Sequence, residues 1–137
     1  MAGILVVEDD EQVRKVAVSI LEEAGHETLS ATSTTEAQTI IRSDAKFEVL
    51  FVDVTLVDDP DAGLEDRYAG LDLALAAASS RPGLRVVYTT GLGLKDGMIS
   101  LFVQPSEFLA KPYSREQLVR AVANVLNAPQ PINPQSY

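Results

Sequence analysis

The chain has 137 residues, 46% hydrophobic and 23% charged, the size and balance of one globular domain with a single core. It carries no cysteine, which excludes disulfides and thiolate metal sites, and no apolar run long enough to cross a bilayer. A formal net charge of −9 argues against direct nucleic-acid binding, which rests on Lys and Arg neutralising phosphates, and the start MAGILVVEDD lacks the basic segment and cleavage site of a secretory signal, so a cytoplasmic location is the expectation.

Ile4–Val7 is an apolar run with the pattern of a strand buried on both faces. It runs straight into Glu8, Asp9, Asp10 and Glu11. Like charges about 4 Å apart repel by roughly 4 kcal/mol at an effective dielectric near 20. Either some of these carboxylates cap the next helix and the rest sit in water, or a cation belongs there. Residues from about Glu11 to Ala24 form an amphipathic helix, with Val13, Val16, Ala17, Ile20, Leu21 and Ala24 as its apolar stripe. Asp10 suits its N-cap and Gly25 the position after its end. A short strand, Glu27–Ala31, follows, and STTE (Ser33–Glu36) opens a helix reaching Arg42.

FEVLFVD (Phe47–Asp53) is the third strand, again apolar and again ending in a carboxylate. A long polar loop, Val54–Tyr68, leads to a helix over Ala69–Ser79. After the RPG turn comes a fourth strand, LRVVYT (Leu84–Thr89). Three glycines in Gly91–Ser100 each cost about 1 kcal/mol of helix propensity relative to Ala, so only a short helix is expected, within Lys95–Phe102. SEFLA (Ser106–Ala110) is the fifth strand, and SREQ (Ser114–Gln117) is a capping box opening the last helix, with Leu118, Val119, Val122, Val125 and Leu126 inward. Residues 128–137, with three prolines, read as a disordered tail after a single domain over residues 1–127.

Strand and helix alternate five times, which predicts an α/β doubly wound parallel sheet of five strands with five helices. Ligands of such sheets bind beyond the carboxyl ends of the strands. Those ends carry Glu8 and Asp9, then Asp53, then Thr89, Thr90 and Gly91, then Lys111 and Pro112. In a flavodoxin-like order, 2-1-3-4-5, the first and third strands are neighbours and their carboxylates converge on one rim.

VVEDD, FVDV, YTTG and FLAKP, each at a strand end, stand in the order of the response-regulator receiver domains of two-component signalling. The chain resembles that family over about residues 3–127. The resemblance implies that Asp53 is the phosphoacceptor, forming an acyl phosphate. It implies that Asp9 ligates Mg²⁺ directly, Glu8 mostly through water, and Asp53 and the Thr55 backbone carbonyl complete the protein's share, an oxygen set with retained waters. Thr90, for which Thr89 competes, would hydrogen-bond a phosphoryl oxygen, and Lys111 would offset the charge beside Asp53. Phe108 holds the position of the family's switch aromatic, with plain core packing as its other reading. The Lys111–Pro112 bond is often cis in this family. Asp10 and Glu11 need no metal role; capping and the helix dipole account for them. His26, in a helix–strand turn, reads as structural or solvated.

The chain also departs from the family. GLDLA starts only at Gly70, so Val57–Ala69 holds several extra residues and is acidic through Asp58, Asp59, Asp61, Glu65 and Asp66. That insertion reads either as a disordered segment or as a lid or partner-specificity element over the active rim. The glycine-rich fourth connection is expected to carry the output change, through a surface built from the fourth helix, fifth strand and fifth helix. The expectation is a stand-alone receiver, with no effector domain read after residue 127, that signals by phosphorylation-dependent binding or serves as a phosphate relay or sink. It is not an enzyme beyond self-phosphorylation and slow hydrolysis. Its partners would be a histidine kinase or histidine phosphotransfer protein and an unknown target, without nucleic acid or membrane, and it would be a monomer or weak homodimer. The alternative is a pseudo-receiver that binds partners without phosphorylation. A remote alternative, a small Mg²⁺-dependent aspartyl phosphatase of the haloacid dehalogenase type, wants an aspartate two residues after the nucleophile, where this chain has Thr55.

Overall fold

Five short strands, β1 (Gly3–Val7), β2 (Glu27–Ala31), β3 (Val49–Asp53), β4 (Arg85–Thr90) and β5 (Ser106–Ala110), pair in parallel in the order β2-β1-β3-β4-β5. Helices α1 (Glu11–Glu23), α2 (Thr34–Ile41), α3 (Ala69–Ser80) and α4 (Arg115–Asn127) connect or follow them. The computed structural model describes residues 2–56, 68–91, 93–94 and 97–129. Most of the insertion (57–67) and of the tail (130–137) therefore lies outside the described residues.

Why β1 and β3 read as unbroken apolar runs is visible in the two cores. Leu5, Val7, Leu50 and Val52 pack on one face with Ala37 and Ile41 of α2 and Leu73 and Ala77 of α3. Their neighbours Ile4, Val6, Val49 and Phe51 pack on the other with Ala17 and Leu21 of α1 and Leu118, Val122 and Val125 of α4. A central strand covered by helices on both faces has no solvent side to mark with polar residues.

Helix starts follow the caps read from the sequence. Asp10 Oδ1 accepts the N–H groups of Gln12 at 2.9 Å and Val13 at 3.1 Å, and Ser33 Oγ accepts that of Glu36 at 3.1 Å. Ser114 and Gln117 form a complete capping box at α4. Gly25, after α1, has φ 96°, which an L side chain rarely adopts.

Two expectations need correction. Among the described residues there are four α-helices, not five: the expected fourth helix is a single 3-10 turn, Ile99–Leu101. Gly93 and Gly97 take φ of 77° and 85°, which breaks any right-handed helix through them. The inward stripe of α1 is also narrower than its spacing suggested: Ala17 and Leu21 are buried, Val13 and Ile20 half-buried, Val16 is 56% exposed and Ala24 is exposed. Val13 and Val16 instead line an open groove with Pro112 and Tyr113, beside the rim.

Neither α2 nor α4 has a basic residue in its last turn. Arg81, just before β4, and Arg85, its first residue, supply the missing charge. Arg81 donates to the Ile41 and Ser43 carbonyls at 3.0 Å each, with its guanidinium 4.1 Å from the Phe47 ring centre. Arg85 donates to the Val125 and Ala128 carbonyls at 2.6 and 2.5 Å. Charged donors on helix-end carbonyls contribute about 1–2 kcal/mol. Arg85→Ala should therefore destabilise the domain by about 1–2 kcal/mol in urea unfolding, with early loss of amide protection in the last turn of α4; an unchanged midpoint would contradict the capping role.

Candidate functional site

Register places the site. Val7 pairs with Val52, so Glu8, one residue past β1, stands beside Asp53 at the end of β3. Asp53 pairs with Thr89, Thr90 pairs with Ala110, and the Lys111 N–H donates to the Thr90 carbonyl at 3.0 Å. Four strand ends thus meet on one rim.

Lys111 is the hub. Its Nζ lies 2.5 Å from Glu8 Oε1 and 2.7 Å from Asp53 Oδ2. Glu8 is held from its other oxygen as well, by the Asp10 N–H at 3.2 Å. Asp53 Oδ1 accepts both the N–H of Thr55 at 2.8 Å and its hydroxyl at 2.7 Å. Glu8 and Asp53 are buried, whereas Asp9 is exposed; one carboxylate oxygen from each of the three lies within 4.8 Å of the others.

Gly70, in the first turn of α3, presses on this corner. Its N–H donates to the Val54 carbonyl at 3.2 Å, and a Cβ at this position would lie 2.0 Å from the Asp53 carbonyl oxygen. Sequence reading saw Gly70 only as the start of a motif. It also missed the Thr55 hydroxyl, although an Asp followed two residues later by a hydroxyl residue is a familiar turn in which the carboxylate accepts local donors.

Thr90 is buried on β4, as is Thr89, whose hydroxyl has no hydrogen-bond partner among the described residues. Phe108 is not core: it is 38% exposed, with its ring 6.4 Å from that of Phe102. Phe102 in turn stacks on Tyr88 at 3.9 Å, and the Tyr88 hydroxyl accepts the Val103 N–H at 2.8 Å. The Lys111–Pro112 bond is cis, and so is Gln104–Pro105. His26 has a structural part, its Nδ1 accepting the Ala2 N–H at 3.1 Å.

Burial pushes the Glu8 carboxyl up to about 7; Asp9 and Asp53 add to this and the Lys111 hydrogen bond opposes it. Burial works against the Lys111 ammonium, but its hydrogen bonds to Asp53 and Glu8 outweigh that and raise its pKa. Burial, with Glu8 and Asp53 nearby, also pushes the Tyr113 phenol up to about 12. Glu8 therefore binds its proton more tightly folded than unfolded, where its pKa is 4.5. Its contribution to stability is full below about 4.5 and is lost as pH rises through about 7. His26, lowered mainly by burial, acts in the opposite sense below its ordinary value of 6.5. Comparison with Glu8→Gln isolates the carboxyl: in chelator, the wild type should lose stability relative to that variant between about pH 5 and pH 8. A constant difference across this range would contradict the shift.

The family model of the response regulator receiver domain matches residues 4–123. The chain belongs to that family, the phosphoryl-accepting modules of two-component signalling. Among its relatives, the DNA-binding transcriptional regulator NtrC of Azospirillum brasilense is 29% identical over 133 residues, covering 95% of this chain and 25% of the relative. The phosphate regulon transcriptional regulatory protein PhoB of Pseudomonas aeruginosa is 28% identical over 129 residues, covering 93% and 53%. The chain thus spans between a quarter and about half of these relatives. A response regulator receiver protein from Sinorhizobium medicae superposes with a TM-score of 0.77 at 27% identity, covering 92% of this chain and 94% of that one. A CheY-like receiver from Methanospirillum hungatei, at 23% identity and a TM-score of 0.76, covers 93% and 94% and matches in fold.

Receiver domains bind Mg²⁺ at an acidic pocket, and the donors here fit a hard cation. They are three carboxylates and no nitrogen or sulfur, with exposed Asp9 on the solvent side where retained waters have room.

Proposed function

We propose that Asp53 accepts a phosphoryl group from a histidine kinase or histidine phosphotransfer protein in a Mg²⁺-dependent reaction, and that the chain works as a cytoplasmic receiver. The observation that supports this most is the meeting of the Asp53 carboxylate with the Lys111 ammonium at 2.7 Å and with the Glu8 and Asp9 carboxylates within 4.8 Å. Carboxylates crowded around one ammonium favour a further cation, and phosphoryl transfer asks a protein mainly for positioning and charge neutralisation.

In this reading an Asp53 oxygen forms a bond to phosphorus. The phosphorus–nitrogen bond of the donor phosphohistidine breaks, and its electron pair leaves on the imidazole. Lys111 offsets the negative charge at Asp53, and the Thr90 hydroxyl donates to a phosphoryl oxygen. Glu8, Asp9, Asp53 and the Thr55 carbonyl would hold Mg²⁺, which when bound neutralises charge on the phosphoryl oxygens. Phe108, exposed here, would turn inward as Thr90 is drawn to the phosphoryl group. The resulting change in surface would recruit a target protein or pass the phosphate on. The domain is read as a monomer or weak homodimer that contacts neither nucleic acid nor membrane and catalyses nothing beyond its own phosphorylation and dephosphorylation.

Incubation with acetyl phosphate and Mg²⁺ followed by intact-mass analysis tests this. One added phosphoryl group is expected on the wild type, absent with chelator and absent on Asp53→Asn. No adduct from acetyl phosphate or from a panel of kinases would favour a phosphorylation-independent interaction module.

A further inference from the structure

Tyr88 and Phe108 are register partners on β4 and β5, so their side chains leave the same face of the sheet. Yet Tyr88 is fully buried, whereas Phe108 is 38% exposed. Phe102, from the chain between the two strands, lies against both. Its ring is buried on that of Tyr88, with centroids 3.9 Å apart and planes at 17°, and its centroid is 6.4 Å from that of Phe108. The next residue, Val103, donates its N–H to the Tyr88 hydroxyl at 2.8 Å. Tyr88 thus holds this segment twice, by its ring and by its hydroxyl.

We propose that Tyr88 and Phe102 form a latch that keeps Phe108 outside, so that an inward turn of Phe108 requires Phe102 to leave its stack and Val103 to give up its hydrogen bond. The inference rests on the reading that Phe108 turns inward when Asp53 is phosphorylated. Rings stacked at 3.9 Å admit no third ring between them, and Phe102 fills the space beside Phe108 on that face. The Tyr88 hydroxyl matters because a backbone N–H left without a partner in a packed segment is costly. Each hold is of ordinary strength. A net hydrogen bond, or an aromatic pair beyond its buried area, biases an equilibrium by a factor on the order of five. A ligand that needs the inward state binds more weakly by the fraction of molecules already in that state. A variant that loosens the latch therefore binds it more tightly, by the factor by which that fraction rises. Tyr88 and Phe102 are positioning residues in this account; neither touches the phosphoryl group.

Beryllofluoride with Mg²⁺ mimics a phosphoryl group on Asp53 and serves as the probe. In a titration followed by NMR, the ring resonances of Phe102 and Phe108 and the amide resonance of Val103 should all shift with one midpoint in the wild type. Tyr88→Phe keeps the stack and orphans the Val103 N–H. Phe102→Leu keeps the apolar bulk and ends the stack. Each should lower the beryllofluoride midpoint by about five-fold while also lowering resistance to urea. A pair that only supports the fold would lower stability and leave the midpoint unchanged or raised, and that result overturns the latch. So does a wild type in which the Phe108 resonance shifts while those of Phe102 and Val103 stay in place. If beryllofluoride binds and the Phe108 resonance does not move, the inward turn falls, and the latch falls with it. If no resonance moves at all, the reading of Asp53 as acceptor falls as well.

Discussion

Replacing Lys111 by methionine is expected to lower the stability of the metal-free domain by roughly 2–4 kcal/mol near neutral pH. Methionine keeps much of the aliphatic length and removes the charge. Among the described residues, Lys111 makes the only salt bridges to Glu8 and Asp53, at 2.5 and 2.7 Å, and both carboxylates are buried. Breaking a fully buried pair costs about 3–5 kcal/mol, because the orphaned charge stays desolvated. Two features pull the figure down here. The Lys111 side chain is 20% exposed, so water screens part of the interaction. Glu8, already pushed up to about 7, can take a proton and cease to be an orphan. The deficit should therefore shrink as pH falls from about 8 to 5, and Mg²⁺ should stabilise the variant more than the wild type, since the metal supplies the missing positive charge. Urea unfolding at both pH values, with chelator and with Mg²⁺, measures all of this. A deficit under about 1 kcal/mol throughout would mean that Lys111 is a solvated surface lysine.

Gly70→Ala is the second large effect, and here two opposed magnitudes must be compared. Alanine in a helix is favoured over glycine by about 1 kcal/mol, so on propensity alone the variant would be more stable. Its Cβ, however, would sit 2.0 Å from the Asp53 carbonyl oxygen, 2.8 Å from the Asp53 carbonyl carbon and 2.9 Å from the Val54 Cα. These are backbone atoms with no rotamer to yield, so either α3 lifts or the acceptor turn shifts. Overpacking of this kind costs typically about 1–3 kcal/mol, occasionally more, and the geometry puts Gly70 at the upper end. A net loss of about 2 kcal/mol is expected. The effect on phosphorylation should be larger still. A misplacement of about 1 Å at a reacting group can cost on the order of a hundred-fold in rate, and the displaced backbone is that of Asp53 itself. Adduct formation from acetyl phosphate should fall accordingly. A variant with wild-type stability and rate would show that α3 does not position the acceptor.

How far the sequence reaches is clearest at the strand ends. Strands in a parallel sheet must be apolar along their length and can be polar only where they emerge, so Glu8, Asp53, Thr90 and Lys111 stood out. Their convergence needed only the strand order, which the sheet has. Local chemistry was equally readable where a side chain serves its own backbone, as Asp10 and Ser114 do. What stayed hidden acts across long separations. Arg85 reaches Ala128, and Gly70 meets Asp53 only after α3 has folded back over the sheet. No periodicity records such contacts. In the fourth connection the sequence shows three glycines only as a propensity cost, whereas Gly93 and Gly97 use the left-handed conformation that ends a helix outright. Val16 failed for a different reason: an apolar residue on a helix can face a groove as well as the core.

The measurement that bears most directly on Asp53 is the location of the phosphoryl group. Borohydride reduces an aspartyl phosphate to homoserine, which peptide mapping assigns to one position. After incubation with acetyl phosphate and Mg²⁺, homoserine is expected at position 53 and nowhere else, and at no position when Mg²⁺ is chelated. Homoserine at position 9, or at another carboxylate with position 53 unmodified, would contradict the assignment of Asp53 as the acceptor.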